Sequence, residues 1–169
     1  MKATPKERMD RVAARFVETI RLVDYDPKYK ESMMIVAREI HAHSIYADLP
    51  LDELKLERQL SASGGIAKDR FFKLAIRGDE VLGGFYGCTL RVFFCDEMTA
   101  KDMGWWVKSS ARGGAAAILL LNEFEQWARS QGCRKCMIGQ SGVENIVQTA
   151  KLFINCGYQV TGFNTSKEL

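Results

Sequence analysis

The chain lacks any apolar run long enough for a membrane helix. Its longest, AAAILLL at 115–121, falls far short of the roughly 20 residues that a bilayer requires. It lacks an apolar leader at the amino terminus, so a soluble, cytoplasmic protein with no membrane partner is expected. It also lacks a basic block. Lys and Arg number 24 against 21 Asp and Glu, interspersed, for a formal net charge of +3. That excludes a dedicated nucleic-acid surface of the clustered kind, while permitting a phosphorylated ligand or an acidic partner. Histidine is scarce, with only His41 and His43. The five cysteines form an odd set, which suits a reducing compartment. Cys133 and Cys136 make a C-x-x-C, but no second pair or flanking histidines complete a zinc site, and no metal is expected.

What is present fits one packed domain over 1–169, since 169 residues at 47% apolar content supply a single core. No repeat, low-complexity segment or long linker divides it. Residues 6–20 carry Met9, Val12, Ala13, Phe16 and Ile20 at helical spacing, while TIRLV at 19–23 equally suits a first strand. Helical spacing returns over 31–45, and PLDELKLERQL at 50–60 predicts a short helix with Pro50 at its start. SASGG then reads as a turn or loop. Strands are predicted at 70–76, 80–94 and 101–107, the first two joined by a tight turn at Gly78-Asp79. The clearest helix covers 114–130 and ends at Gly132. RKCMIG reads as a short strand, ENIVQTAKLFINC as a helix closed by Gly157, and YQVTGF as a final strand. This order predicts an α/β (α+β) fold with a central mixed sheet and helices on its faces.

The stretch GWWVKSSARGGAAAILLL passes from a strand through Arg112, Gly113 and Gly114 directly into the long helix. Unpaired N–H groups converge at such a junction, and the helix dipole favours an anion there, phosphate above all. The glycines permit close backbone approach, and Ala115 and Ala117 keep the first turn small. Arg112 suits either a phosphate oxygen or a tie across the turn. The spacing is not that of a P-loop, for no Gly-Lys-Ser/Thr follows, and it is not the G-x-G-x-x-G of a dinucleotide fold. A turn that merely packs helix against sheet is the competing reading.

WVKSSARGGAAAILLL resembles the acetyl-CoA-binding motif of the GCN5-related N-acetyltransferases, in which a strand leads to Arg/Gln-x-x-Gly-x-Gly/Ala at the head of the main helix. Val107 stands five residues before Arg112, and Trp106 at the usual aromatic position. ENIVQTAKLFINCGY is similar to a later family segment through Asn145, Leu152, Phe153, Gly157 and Tyr158. The similarity spans about 70–169, and two of its positions depart from the pattern. Ala115 replaces the usual glycine, and Phe153 replaces a tyrosine that in many relatives protonates the departing CoA thiolate.

The resemblance implies the acyl-CoA N-acyltransferase fold, with a mostly antiparallel sheet, and transfer of an acetyl group from acetyl-CoA to a primary amine by direct attack. It implies a cofactor site made of Trp106, Val107, Arg112, Gly113, Gly114, Ala115, Ala116, Ala117, Asn145 and Phe153. Asn145 suits the pantetheine arm or a helix cap equally. Asp102 stands near the family's general base, with Gly104 and Trp106 expected on its face by two-residue alternation; a solvated strand-end charge is the alternative. Tyr158 is a candidate proton donor if its hydroxyl lies near the sulfur. Asp96 and Glu97 read as loop charges or as binders of a cationic substrate, His43 as an acceptor-site residue or a helix-end histidine, and Tyr46 and Tyr86 as pocket walls. Trp105 and Trp106, together with Phe93 and Phe94, read as core packing and the surface of a homodimer rather than as chemistry. The acceptor is expected to be an amine-bearing small molecule or a protein. An aminoacyl-tRNA would need Lys28, Lys30, Arg70, Lys73 and Arg77 brought together. A non-catalytic CoA-binding or protein-interaction module on the same scaffold is the alternative function.

Overall fold

In the computed structural model of the chain the described residues are 3–14, 19–62, 68–139, 146–162 and 167. The elements run α1 (Pro5–Ala14), β1 (Arg21–Asp24), α2 (Lys30–Ala42), α3 (Glu53–Ala62), β2 (Arg70–Arg77), β3 (Glu80–Arg91), β4 (Met98–Val107), α4 (Ala116–Ser130), β5 (Lys135–Met137) and α5 (Ile146–Asn155). Short 3₁₀ turns at Pro27–Tyr29 and Ser109–Ala111 precede α2 and α4. The ambiguous start thus resolves into a helix and then a strand.

The five strands lie in sequence order, β1-β2-β3-β4-β5, antiparallel except for the parallel pair β4–β5. This is the mixed, mostly antiparallel sheet expected. Gly78, at φ +57, makes the β2–β3 turn. On one face α4 presses Leu120, Leu121, Phe124 and Ala128 against Phe71, Phe85 and Ala100. On the other, Met33, Met34 and Leu60 from α2 and α3 cover Phe72, Leu74 and Ile76. Each such large apolar side chain, fully buried, contributes about 1.5–3 kcal/mol. Two cores on opposite faces therefore hold β2 and β3 rigid between them.

Several boundaries differ from the sequence reading for local reasons. Helix α3 starts at Glu53 because the Asp52 side chain accepts the Lys55 N–H at 2.8 Å, which makes Asp52 the cap and leaves Pro50 outside. Strand β3 stops at Arg91, where the hairpin turns and Val92 N–H reaches Glu97 O at 3.4 Å. The final strand expected at YQVTGF is absent over 158–162. Gly157, at φ +93, and the bond from Tyr158 N–H to Phe153 O at 2.9 Å close α5 and turn the chain away.

The most consequential difference is a β-bulge. Tyr86 pairs with Gly104 and Gly87 with Asp102, so Met103 is an extra residue on β4. Alternation changes phase there. Asp102 stays on the α4 face with Ala100 and shares it with Trp105, while Gly104 and Trp106 lie on the α2–α3 face, contrary to the uninterrupted alternation expected. Trp106 packs on Phe72 at 6.3 Å and covers Gly84, where a Cβ would overlap its indole.

Candidate functional site

Strand β4 pairs with β5 only at Thr99–Lys101, opposite Lys135–Met137. From Asp102 onward, no strand among the described residues lies on that edge of β4, and the bulge begins at the same place. The two strands therefore part in a fork whose wall is an unpaired strand edge. Asp102 stands at its apex, and one carboxylate oxygen accepts the Gly139 N–H at 2.9 Å, tying β4 to the segment after β5. Burial raises the pKa of Asp102, opposed by that N–H and by Lys101.

Beyond Val107 the open edge runs into the turn. Lys108 N–H bonds Leu82 O at 2.9 Å, and Gly114 N–H bonds Ala111 O at 3.3 Å. Gly113 adopts φ +79, a left-handed conformation that favours glycine, with open space where a Cβ would stand. Helix α4 then begins with no side-chain cap, and its first helical bond is Leu119 N–H to Ala115 O at 2.9 Å. The N–H groups of an uncapped first turn have no partner within the helix, which suits an anionic ligand. Ala115 has ordinary helical angles, φ −77 and ψ −17, so the methyl that replaces glycine causes no backbone strain.

The predicted cofactor residues divide by exposure. Arg112, Gly113 and Gly114 are exposed and Ala117 is half-buried, whereas Ala115 and Ala116 are packed into the core beneath them. Arg112 Nε donates to Val107 O at 3.4 Å, the turn-tying role. Val107 leans on the α4 core, while Trp106 points to the other face, its Nε1 buried with no partner among the described residues. Phe153 lies tilted against Trp105, centroids 5.2 Å apart, on the Asp102 face. Asn145 lies outside the described residues.

Tyr158 packs on Phe153, with ring centroids 5.8 Å apart. Its hydroxyl is buried with no hydrogen-bond partner among the described residues. Burial and the neighbouring Glu125 and Cys136 hold its pKa above the ordinary tyrosine value. Glu125 lies nine residues beyond Ala116, about 14 Å along α4 at ~1.5 Å per residue. The hydroxyl is therefore remote from the turn at Gly113.

Glu39, on α2, was not singled out by sequence. The Ser109 hydroxyl donates to its carboxylate at 2.7 Å, and the Ser109 hydroxyl and N–H, with the charges of Arg112 and His43, hold its pKa low. Seventy positions separate the partners, a contact that no periodicity or motif announces. His43 caps the end of α2, while Tyr86 packs on Phe72 at 5.2 Å and Tyr46 is exposed.

The remaining candidates lie away from the fork. Asp96 and Glu97 occupy the β3–β4 hairpin, beside Arg91 and Arg134, at the end of β4 opposite Val107. Phe93 and Phe94 are exposed at the same hairpin. Lys30 pairs with Glu57 at 2.8 Å, Lys73 with Asp24 at 3.0 Å, and Arg70 with Asp69 at 3.8 Å. Burial raises the pKa of Cys133 and pushes Cys136 up to about 11, which keeps both as unreactive thiols. Among the described residues no group of three or more His, Cys, Asp or Glu is placed to hold a metal, and no helix is long and apolar enough to cross a membrane. A cavity of about 760 Å³ lies between the start of β2 and the later half of α4, lined by Arg70, Lys73, Glu123 and Trp127. It is at the far end of α4 from Gly113.

The sequence matches no family model and no curated protein. Solved structures do match. An acetyltransferase from Trypanosoma brucei superposes with a TM-score of 0.66 at 16% identity, covering 89% of this chain and 99% of that one. A GNAT family acetyltransferase from Staphylococcus aureus gives 0.61 at 16%, with 89% and 99% covered. Glucosamine-6-phosphate N-acetyltransferase from Arabidopsis thaliana gives 0.64 at 16%, with 89% and 98% covered. Together with the forked sheet and the glycine turn above α4, these likenesses show that the chain has the acyl-CoA N-acyltransferase fold that those acetyltransferases share.

Proposed function

We propose that the chain is an N-acetyltransferase that moves an acetyl group from acetyl-CoA to a primary amine by direct attack. The observation that carries this reading is the continuity of the unpaired β4 edge from Asp102 with the uncapped first turn of α4 behind Gly113. An open strand edge binds an extended amide-bearing arm as a further strand would be bound, and the turn beside it suits a diphosphate. Arg112, Gly113, Gly114 and Ala117 present the surface of that seat, and Ala115 and Ala116 support it from the core.

Acetyl-CoA, when bound, supplies an activated acyl group, so the protein has to bind, orient and manage protons. Holding amine and acyl group together removes several kcal/mol of barrier, about 7 or more in well-oriented cases. The backbone of 102–107 contributes orientation and a donor for a developing oxyanion. Asp102 receives the amine's proton, and the Gly139 N–H fixes its carboxylate in place. Its raised pKa brings it closer to the range useful to a general base.

No phenol serves the departing thiolate in this proposal. Phe153 has no proton to give, and burial makes the Tyr158 hydroxyl a weakened acid. A thiol's ordinary pKa, about 8.5, lets the thiolate depart near neutral pH with water as the eventual donor. The acceptor is an amine-bearing small molecule or protein.

The same lack of a donor supports a second reading, a CoA-binding module without turnover. Thiol release separates them when the purified chain is incubated with acetyl-CoA and a panel of amines and peptides. Acceptor-dependent release supports the enzyme; CoA binding with no release on any acceptor supports the module; no CoA binding removes both.

A further inference from the structure

The β3–β4 hairpin ends in a tip that its local structure does not account for. Residues 92–97 read VFFCDE, with none of the Gly, Pro or Asn that tight connections favour, and they set two phenylalanines in succession at the turn. Phe93 is fully exposed and Phe94 is 86% exposed, and neither belongs to either core. Adjacent apolar rings held out in water mark a contact surface. Beside them Asp96 and Glu97 reach only distant partners, Arg91 at 4.0 Å and Arg134 at 3.9 Å. The tip is an apolar arm with an acidic flank.

A receptor of matching character lies at the same end of the molecule. The cavity of about 760 Å³ has Phe71 and Trp127 in its lining, their ring centroids 5.4 Å apart. A cavity of this size takes a drug-sized ligand, and two phenyl side chains are no larger. Its lining carries Lys68, Arg70 and Lys73 against Asp24 and Glu123, an excess of one positive charge. Lys73 engages both acids, at 3.0 and 3.8 Å, and Arg70 has Asp69 at 3.8 Å. Arg70 pairs with Cys88 across the sheet, and Arg91, where the arm begins, is three residues further along β3, about 10 Å at ~3.3 Å per residue. The rings are exposed, so an arm does not fill the cavity of its own chain.

We propose that the chain forms a two-fold dimer by reciprocal exchange of these arms. Phe93 and Phe94 of each copy seat on Phe71 and Trp127 of the other, and Asp96 and Glu97 face its Lys68 and Arg70. A two-fold axis at this end makes the one contact twice and leaves no arm free to propagate a chain. Aromatic side chains bury about 150–250 Å² each, so four of them, with the surfaces that receive them, remove roughly 1,200–2,000 Å² from water, the size of a stable specific interface. An anionic membrane is the wrong occupant, because it repels the two carboxylates beside the rings. Arm and cavity both lie away from Gly113, so the dimer does not depend on the cofactor seat.

The test is sedimentation velocity of the full chain from about 1 to 100 μM, the range over which micromolar association is read. Wild type is expected to dimerise with a Kd of about 10 μM or tighter. The arm variant Phe93→Ser/Phe94→Ser is expected to dimerise at least about 30-fold more weakly with an unchanged melting temperature. Two cavity variants are expected to weaken it about 10-fold: Gln126→Trp, which puts a large ring at an exposed lining position, and Arg70→Glu, which reverses the charge. An equimolar mixture of arm and Gln126→Trp variants retains one intact arm and one intact cavity, so it is expected to associate more strongly than either variant alone. Wild type that stays monomeric overturns the arm exchange, as does an arm variant that dimerises normally. Dissociation by the arm variant with wild-type affinity in both cavity variants overturns it too, since the rings then pack on each other across the axis. So does a mixture no stronger than its components, or a monomer that co-sediments with phosphatidylglycerol vesicles through Phe93 and Phe94.

Discussion

Gly113 isolates backbone conformation from side-chain crowding. A Cβ at this position meets nothing within 4 Å, yet φ is +79, so Gly113→Ala introduces strain without a clash. The left-handed conformation costs an L residue about 1–2 kcal/mol, and the turn relieves it by shifting. The variant is expected to lose that much stability or less in chemical denaturation and to bind CoA about 10-fold more weakly, ~1.4 kcal/mol. Asp102 offers a pH test with a definite sign. Its folded pKa is raised, so the folded state holds the proton more tightly and stability is lost as pH rises through the folded value. Asn cannot ionise and still accepts the Gly139 N–H. Asp102→Asn is therefore expected to be at least as stable as wild type at neutral pH, while turnover falls about 100-fold or more. In wild type the acid limb of kcat/KM is expected above the ordinary aspartate pKa, because only the carboxylate accepts a proton; the variant loses that limb. Wild-type turnover across the pH range in the Asn variant would remove Asp102 as the base.

Among the elements, those with strong local signals were legible from sequence. Apolar spacing marked α4, and Gly132 and Gly157 marked helix ends, where φ values of +75 and +93 now place them. The glycine turn before α4 was legible for the same reason, since a left-handed residue and an uncapped helix start are local properties. Register was not. The extra residue at Met103 is defined only by the partner strand, and it moved Trp106 off the face of Asp102. Likewise the Glu39–Ser109 contact depends on how α2 lies over the end of β4. Gly84 is a further position whose meaning comes from its partner strand: the indole of Trp106 and the Leu74 side chain occupy the space a Cβ would take. Gly84→Ala is expected to cost about 1–3 kcal/mol by overpacking and to displace Trp106, lowering the melting temperature. An unshifted melting temperature would mean that Trp106 does not seat on β3 as described.

At the scale of the molecule, one sheet is clamped by α1, α4 and α5 on one face and by α2 and α3 on the other, and it opens only where β4 and β5 part. The rigid cores lie at β2 and β3, so the fork is held from one side and free on the other. The cavity between β2 and the later half of α4 offers an alternative place for a small ligand and makes the location of CoA a discriminating observable. Amide hydrogen exchange of the full chain, with and without saturating CoA, reads that location directly. The account predicts slowed exchange concentrated in 102–118, along the open edge of β4 and the first turn of α4. Protection confined to the start of β2 and the later half of α4, or no change anywhere in a folded sample, would contradict it.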